Sequence, residues 1–237
     1  SGMTSQTLLK PQSQARYLLC SDLDRTLIPN GPHAESPGAR ETLRRLVEVP
    51  AVCVVYVTGR NQTLVEEAID EYALPWPDAV IGDVGTRIWS TLEGEWKPWA
   101  QWDDLIRKDF TPGVRAQIRT LAMQFSELAL QPDDRQTEYK LSFFCPSPRL
   151  EELRCLLQQC FDDRSIPAIT IASLDETSDA GLIDILPGKA TKLGAIEMVM
   201  SAWGFNHWST VCAGDSGNDL PFLTSALQSV LVANADD

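Results

Sequence analysis

The sequence predicts an α/β fold in which a parallel-sheet core is interrupted by an α+β module. In the first third, strand-length runs that are apolar on both faces alternate with amphipathic helices. That alternation is typical of a parallel sheet covered on both sides. The middle of the chain contains a segment that alternates apolar and polar residues, which indicates an antiparallel strand with one exposed face. The last part returns to the first pattern.

The elements of the first third follow from the spacing of apolar residues. We expect strands at 17–21, 51–57 and 78–82, and helices at 39–47 and 62–73. The stretch TRIWSTLEGEWKPW predicts a hairpin with Glu93 and Gly94 at its turn. Together these elements form the first half of the core.

The middle and the end complete the prediction. Apolar residues at 114, 118, 121, 125 and 128 indicate a helix, TEYKLSFF a half-buried strand, and residues 150–161 a second helix. Strands are expected at 168–172 and 182–186, then a helix at 191–203, the strand STVCAGD, a helix from Asp219 and the strand SVLVAN. We therefore assign residues 1–96 and 186–237 to the core and residues 97–185 to the inserted module.

Composition excludes several classes of protein. The 237 residues carry 33 acidic and 20 basic side chains, a net charge of −13, which disfavours nucleic-acid and anionic-membrane partners. Two histidines make a histidine-based zinc site improbable, and the six cysteines fit buried free thiols better than a disulfide framework. No apolar stretch approaches the roughly 18 residues of a membrane helix, and residues 1–16 lack a signal-peptide core. We expect a cytoplasmic protein, with Ser1-Gly2-Met3 as an expression scar.

Two aspartates follow the first strand in YLLCSDLDRTLIPNG. Asp22 and Asp24 are two apart, so they project from the same side at the carboxyl end of a strand, where open α/β sheets bind ligands. Like charges this close resist joint ionisation unless a cation lies between them. A calcium loop does not fit, because it needs glycine where Leu27 stands and glutamate where His33 stands. An ordinary acidic turn remains the alternative.

Three further stretches end or follow predicted core strands. VYVTGR supplies Thr58, Gly59 and Arg60, and LPGKATKLGAI supplies Lys189 and Lys192. GDSGND supplies Asp215, Asn218 and Asp219. Each stretch alone fits an ordinary turn or a solvated helix start. In combination they place carboxylates, a hydroxyl and a lysine at the same edge of a sheet, which indicates an active site.

This order of motifs resembles the haloacid dehalogenase (HAD) superfamily of phosphohydrolases, with its Rossmann-like core and an inserted C2B-type cap. DLDRT is similar to motif one, Thr58 to motif two, a lysine to motif three and GDSGND to motif four. SDLDRT, VTGR, DVGTRI, YKLSF and IDILP resemble the sucrose-phosphate phosphatase group most. The spacing from DILP favours Lys192 over Lys189 for motif three. The chain also ends soon after Asn234, where relatives continue into a further helix, which suggests trimming.

The resemblance implies roles for individual residues. Asp22 is the expected nucleophile and Asp24 the general acid and base. Mg²⁺ is expected on Asp22, the backbone carbonyl of Asp24 and Asp215, with Asp219 as ligand or support. The expected phosphate-binding residues are Thr58, Gly59, Lys192 and Asn218, and the expected substrate contacts are Arg60 and Lys140. Trp96, Trp99 and Trp102 fit packing near the hinge better than stacking on a sugar.

The resulting hypothesis is a magnesium-dependent phosphatase that hydrolyses a phosphorylated sugar. Sucrose 6-phosphate or a similar disaccharide phosphate, such as mannosylfructose-phosphate, is the expected substrate, and the protein could act as a monomer. Alternatives are a phosphotransferase or sugar phosphomutase on the same fold, and a mannosyl-3-phosphoglycerate-type phosphatase. A regulatory protein on an inactive scaffold is disfavoured, because Asp22, Asp24 and Asp215 are all present.

Overall fold

The computed structural model describes residues 14–175 and 177–214. Within those ranges ten strands occur in chain order: β1 Tyr17–Asp22, β2 Val52–Val57, β3 Ala79–Gly82, β4 Arg87–Ser90, β5 Lys97–Pro98, β6 Ala129–Leu130, β7 Leu141–Cys145, β8 Ala168–Leu174, β9 Gly181–Pro187 and β10 Thr210–Ala213. The same ranges contain six α-helices: α1 Ala39–Leu46, α2 Gln62–Glu71, α3 Ala100–Asp109, α4 Pro112–Ala122, α5 Leu150–Asp163 and α6 Lys192–Trp203. The predicted helix from Asp219 and strand SVLVAN lie outside the described residues.

The chain divides into two compact units. The first contains described residues 14–101 and 192–214, and the second contains residues 102–191, with Glu176 undescribed. The boundaries expected from sequence are 97 and 185, so the second unit starts and ends a few residues later than expected. None of the described helices is long and apolar enough to cross a membrane.

The sheet of the first unit has the order β10-β1-β2-β3-β4-β5. Strands β10, β1, β2 and β3 are parallel, whereas β4 and β5 are antiparallel additions at one edge. Val54 and Tyr56 of β2 belong to an apolar core that also takes Leu43 of α1 and Val65 of α2. The parallel core with helices between its strands, expected from the apolar runs, is confirmed.

The sheet of the second unit is antiparallel, with the order β6-β7-β9-β8. Helix α5 buries Leu153, Leu157 and Phe161, as its spacing predicted. Helix α4 ends at Ala122, so the predicted extension to residue 128 is wrong. The chain turns there, because the amide of Phe125 donates to the carbonyl of Ala122 at 3.0 Å. The apolar spacing thus continues past the end of the helix.

The prediction for TEYKLSFF needs a correction. Strand β7 starts at Leu141, so Lys140 precedes it in an isolated bridge to Thr137 and is half-buried. Ser142 is 1% exposed, although the alternating pattern predicted that the polar residues of this strand face solvent. Its hydroxyl donates to the Asp184 carboxylate at 2.5 Å. That pairing is what makes a polar side chain tolerable inside this strand.

Helix α3 was not predicted, although Trp102, Ile106 and Phe110 are buried at helical spacing. Trp99 and Trp102 are both buried, and Trp96 packs edge-on against Trp89 with ring centroids 5.5 Å apart. Such aromatic pairs stabilise a core. The tryptophans therefore have packing roles in this structure.

All six cysteines lie in the described part of the chain, and each is a thiol rather than half of a disulfide. Cys20, Cys53 and Cys145 are buried, whereas Cys155 and Cys212 are exposed and Cys160 is intermediate, so the expectation of burial holds for three of them. Burial also raises the pKa of Cys145 and of Cys53.

Candidate active site

The turn after β1 presents Asp22 and Asp24 at the carboxyl end of the sheet. Leu23 between them is fully buried, whereas both aspartates are partly exposed. Their side chains are 26% and 28% exposed, respectively. The turn is closed by the amides of Leu27 and Ile28, which both donate to the carbonyl of Leu23 at 2.9 and 3.0 Å. The aspartates thus stand half-buried above a closed turn.

Thr58 follows β2 at the same edge of the sheet. Asp22 pairs in the parallel register with Val57, the last residue of β2, and Thr58 is the next residue of the chain. Thr58 is almost fully buried, and its Oγ1 accepts the backbone N–H of Arg60 at 3.0 Å. A hydroxyl that accepts one hydrogen bond still has its own proton to donate. Thr58 can therefore donate to an oxygen at this edge. Gly59 follows it, and a Cβ there would lie 3.3 Å from Cγ1 of Val84.

Arg60 binds the carboxylate of Asp24 through two nitrogens of its guanidinium. Its Nε lies 3.3 and 3.1 Å from the two carboxylate oxygens of Asp24, and its Nη2 lies 2.6 Å from Oδ1. The hydrogen bond to Asp24 is the main reason that the pKa of the Arg60 guanidinium is raised. The family resemblance suggests Arg60 as a substrate contact, whereas in the structure it pairs with Asp24, the expected general acid and base.

The two candidate lysines have different partners. Lys192 is the first residue of α6, and its Nζ lies 3.6 Å from Oδ1 of Asp22. Lys189 belongs to the second unit, where its Nζ lies 3.6 Å from Oδ2 of Asp109. Lys192 thus lies beside the predicted nucleophile, and Lys189 forms an ion pair elsewhere.

The remaining predicted residues lie either outside the described part of the chain or in the second unit. Asp215, Asn218 and Asp219 lie outside the described residues. Strand β10, which leads to them, pairs Ala213 with Ser21 of β1 and so ends at the same edge of the sheet. In the described ranges no cluster of three or more potential metal ligands occurs. Lys140 lies in the second unit, half-buried in the turn before β7.

Gly82 allows the backbone of Arg60 to approach β3, which the sequence analysis did not foresee. A Cβ at position 82 would lie 2.9 Å from the carbonyl oxygen of Arg60 and 2.6 Å from Cζ3 of Trp89. The next amide, that of Asp83, donates to the same carbonyl at 2.9 Å. The available signal was the Gly-Asp pair that directly follows an apolar strand.

We expect Gly82→Ala to lower the free energy of unfolding by about 1–3 kcal/mol, because the added methyl would displace the Trp89 ring or the Arg60 backbone. Urea denaturation of both proteins measures this change. Gly113→Ala is the control, since its nearest heavy atom would be Oγ1 of Thr111 at 3.9 Å. An unchanged unfolding midpoint for Gly82→Ala would contradict the close approach.

Comparisons with known proteins identify a family model and relatives that match most of the chain. The family model for sucrose-6F-phosphate phosphohydrolase matches residues 15–237. A protein of Nitrosococcus oceani, described as a HAD-like hydrolase, is 46% identical over 224 residues, with 94% of this chain and 60% of the relative covered. Sucrose-phosphatase 2 of Nicotiana tabacum is 28% identical over 233 residues, with 95% of this chain and 52% of the relative covered. The chain thus spans a little over half the length of these two relatives.

A shorter relative and a solved structure are also similar to the chain. The mannosylfructose-phosphate phosphatase of Agrobacterium fabrum is 26% identical over 222 residues, with 92% of this chain and 83% of the relative covered. The crystal structure of the sucrose-phosphatase of Synechocystis sp. PCC6803 with sucrose and phosphate has a TM-score of 0.66 at 22% identity. It covers 87% of this chain and 78% of that one, and supports the fold. The chain belongs to the sucrose-6F-phosphate phosphohydrolase family of the HAD superfamily.

Proposed function

We propose that this protein is a magnesium-dependent phosphatase that hydrolyses a phosphorylated sugar through an aspartyl-phosphate intermediate. Sucrose 6-phosphate is the first candidate substrate, and mannosylfructose-phosphate is the second, because relatives of both kinds match the chain. The observation that carries the proposal is the ion pair between Asp22 and Lys192 at the carboxyl end of β1. It supplies a nucleophile and a cation at one point of the sheet.

The donor atoms fit Mg²⁺. Asp22 and Asp24 offer oxygen ligands at the carboxyl end of β1, and oxygen is the ligand that this hard cation prefers. We propose that Asp22, the backbone carbonyl of Asp24 and Asp215 hold the ion, with Asp219 as a further ligand or support. When bound, the ion offsets the negative charge that Asp22 and the phosphate bring together.

Attack by Asp22 on a phosphate monoester has to overcome electrostatic repulsion. One negative charge against two at ~3.5 Å costs on the order of 10 kcal/mol at an effective dielectric of about 20. The ammonium of Lys192, 3.6 Å from Asp22, lies where it can bind a phosphoryl oxygen and reduce this cost. The Thr58 hydroxyl, the backbone at Gly59 and the amide of Asn218 are the other proposed phosphate contacts.

Asp24 is the proposed proton donor and acceptor. It lies two residues after Asp22, just beyond the carboxyl end of β1, where an acid/base residue can serve a neighbouring nucleophile. It would protonate the departing sugar oxygen and then accept a proton from the water that hydrolyses the intermediate. We assign sugar selection to the second unit, with Lys140 as its candidate contact.

Phosphate release from a panel of sugar phosphates, with and without Mg²⁺, tests this function. The panel contains sucrose 6-phosphate, mannosylfructose-phosphate, mannosyl-3-phosphoglycerate and glucose 6-phosphate. We expect release that depends on Mg²⁺ and a higher kcat/KM for a disaccharide phosphate than for glucose 6-phosphate. Absence of release from every compound would contradict the proposal. Conversion of a sugar phosphate to its isomer without free phosphate would instead identify a phosphomutase.

A further inference from the structure

We propose that Arg60 is a positioning residue that fixes the orientation of the Asp24 carboxylate toward the leaving-group oxygen. The inference rests on the proposed function, because it needs Asp24 as the acid. It reassigns Arg60, which the sequence suggested as a substrate contact. A comparison of two substrates with different leaving groups separates the two roles.

The contact between Arg60 and Asp24 restricts rotation of the carboxylate. One hydrogen bond would leave the carboxylate free to turn about its acceptor atom, but here Nε contacts both oxygens and Nη2 contacts one. A planar guanidinium bound in this way fixes the plane of a carboxylate, which an ammonium group cannot do. Three accepted hydrogen bonds still leave a lone pair on Asp24 for a further partner.

Asp24 needs such a restraint more than Asp22 does. Asp22 is the last residue of β1 and is held by the pairing of that strand with β2. Asp24 lies beyond the strand, and its backbone forms an isolated bridge to Ile28. The residue after it, Arg25, has a φ of 66°, a left-handed conformation uncommon for a residue with a side chain. Sheet pairing therefore fixes the first aspartate but not the second.

Arg60 is itself anchored at both backbone polar groups. Its N–H donates to Oγ1 of Thr58 at 3.0 Å, and its carbonyl accepts from the amide of Asp83 at 2.9 Å. Gly82 provides the room for this approach. The guanidinium thus extends from a fixed base, and it links the proposed phosphate contact Thr58 to the proposed acid Asp24.

The two roles predict different kinetics. A residue that binds substrate changes KM for every substrate whose bound group it contacts. A residue that acts through the acid lowers kcat/KM only when the leaving group needs a proton. A sugar alkoxide needs that proton, whereas p-nitrophenolate leaves without it. The ratio kcat/KM is informative because it covers only the steps up to departure of the leaving group.

The experiment compares the wild type with Arg60→Gln, Asp24→Asn and the double variant on a sugar phosphate and on p-nitrophenyl phosphate. We expect Arg60→Gln to lower kcat/KM for the sugar phosphate by about 10- to 100-fold, as for a displaced catalytic group. The loss for p-nitrophenyl phosphate should stay below about threefold, since only the acid function is affected. In the double variant, the loss should equal that of Asp24→Asn alone.

Two further variants sharpen the result. Arg40→Gln is the matched control, because Arg40 pairs with Glu35 in the same unit at similar exposure, 30% against 28% for Arg60. It should leave both substrates unaffected. Arg60→Lys keeps the charge but not the contact through two nitrogens, so it should show nearly the loss of Arg60→Gln. Full activity of Arg60→Lys, equal losses on both substrates, additive losses in the double variant or a gain in activity would each overturn the proposal.

Failure of this inference can be told apart from failure of the proposed function. A wild-type protein that releases phosphate from neither substrate refutes the function. The other case is a wild-type protein that hydrolyses both substrates. If Asp24→Asn then removes activity toward the sugar phosphate and Arg60→Gln changes neither activity, only the role of Arg60 is refuted.

Discussion

Asp22→Asn is expected to reduce phosphate release by at least about 10⁴-fold, the scale seen when the residue that attacks or activates in covalent catalysis is removed. An amide has the shape of a carboxylate but neither its charge nor its nucleophilicity, so the phosphoryl group would find no acceptor. The side chain is only half-buried at the end of β1, and its replacement should leave the fold intact. The measurement is kcat on the best sugar phosphate, with circular dichroism to check folding.

Asp70→Asn is the matched control for this variant. Asp70 is exposed on α2 in the same unit, so the same chemical change there should have no effect on activity. If Asp22→Asn were folded and released phosphate at a rate near that of the wild type, Asp22 could not be the nucleophile.

The second large effect concerns the cation beside Asp22. We expect Lys192→Ala to lower kcat/KM by about 10²- to 10³-fold, as does loss of a single group that stabilises transition-state charge. The ammonium of Lys192 lies 3.6 Å from the carboxylate of Asp22. Lys192 is the first residue of α6, so the helix fixes the position of its backbone. The cost should be similar on sugar phosphates and on p-nitrophenyl phosphate, because the phosphoryl group is common to both.

Lys189→Ala provides the comparison that the sequence invites. Lys189 lies three residues earlier and pairs with Asp109, with a side chain that is 62% exposed. An exposed ion pair of this kind contributes little to stability. We expect the Lys189 variant to retain activity within about threefold, since it removes only a surface pair. A large loss at Lys189 with little change at Lys192 would reverse the assignment of the motif-three lysine.

The core could be predicted from the sequence because its strands are apolar on both faces and its helices are amphipathic. Helix α1 was placed within one residue at each end and α2 within two. The errors lie where apolar spacing does not coincide with secondary structure. The pattern that begins at residue 114 continues past the end of α4. Trp99 and Trp102 were considered only as packing residues, so the helix α3 that begins at Ala100 was not predicted. Ser142 could not be assigned to the interior without knowledge of its partner, Asp184.

The part of the candidate site that follows from the order of the strands was predicted from the sequence. Asp22 and Thr58 follow adjacent parallel strands, so their proximity follows from strand order alone. The pairing of Arg60 with Asp24 joins residues 36 positions apart and depends on the path of two loops. Lys192 was preferred to Lys189 from its spacing to DILP, and in the structure Lys192 is the lysine beside Asp22. Apolar periodicity does not give the pairing of Arg60 with Asp24, because that pairing is a property of loop geometry.

The proposed mechanism depends on phosphorylation of Asp22, which a rapid acid quench followed by intact-protein mass spectrometry detects. The Asp24→Asn variant is mixed with p-nitrophenyl phosphate and Mg²⁺. The intermediate can form, because p-nitrophenolate leaves without a proton donor, and it should accumulate, because the variant lacks the base that activates water for hydrolysis. We predict a mass increase of one phosphoryl group, mapped by peptide analysis to Asp22 and missing from Asp22→Asn. Release of phosphate with no such adduct, or an adduct on another residue, would contradict the account.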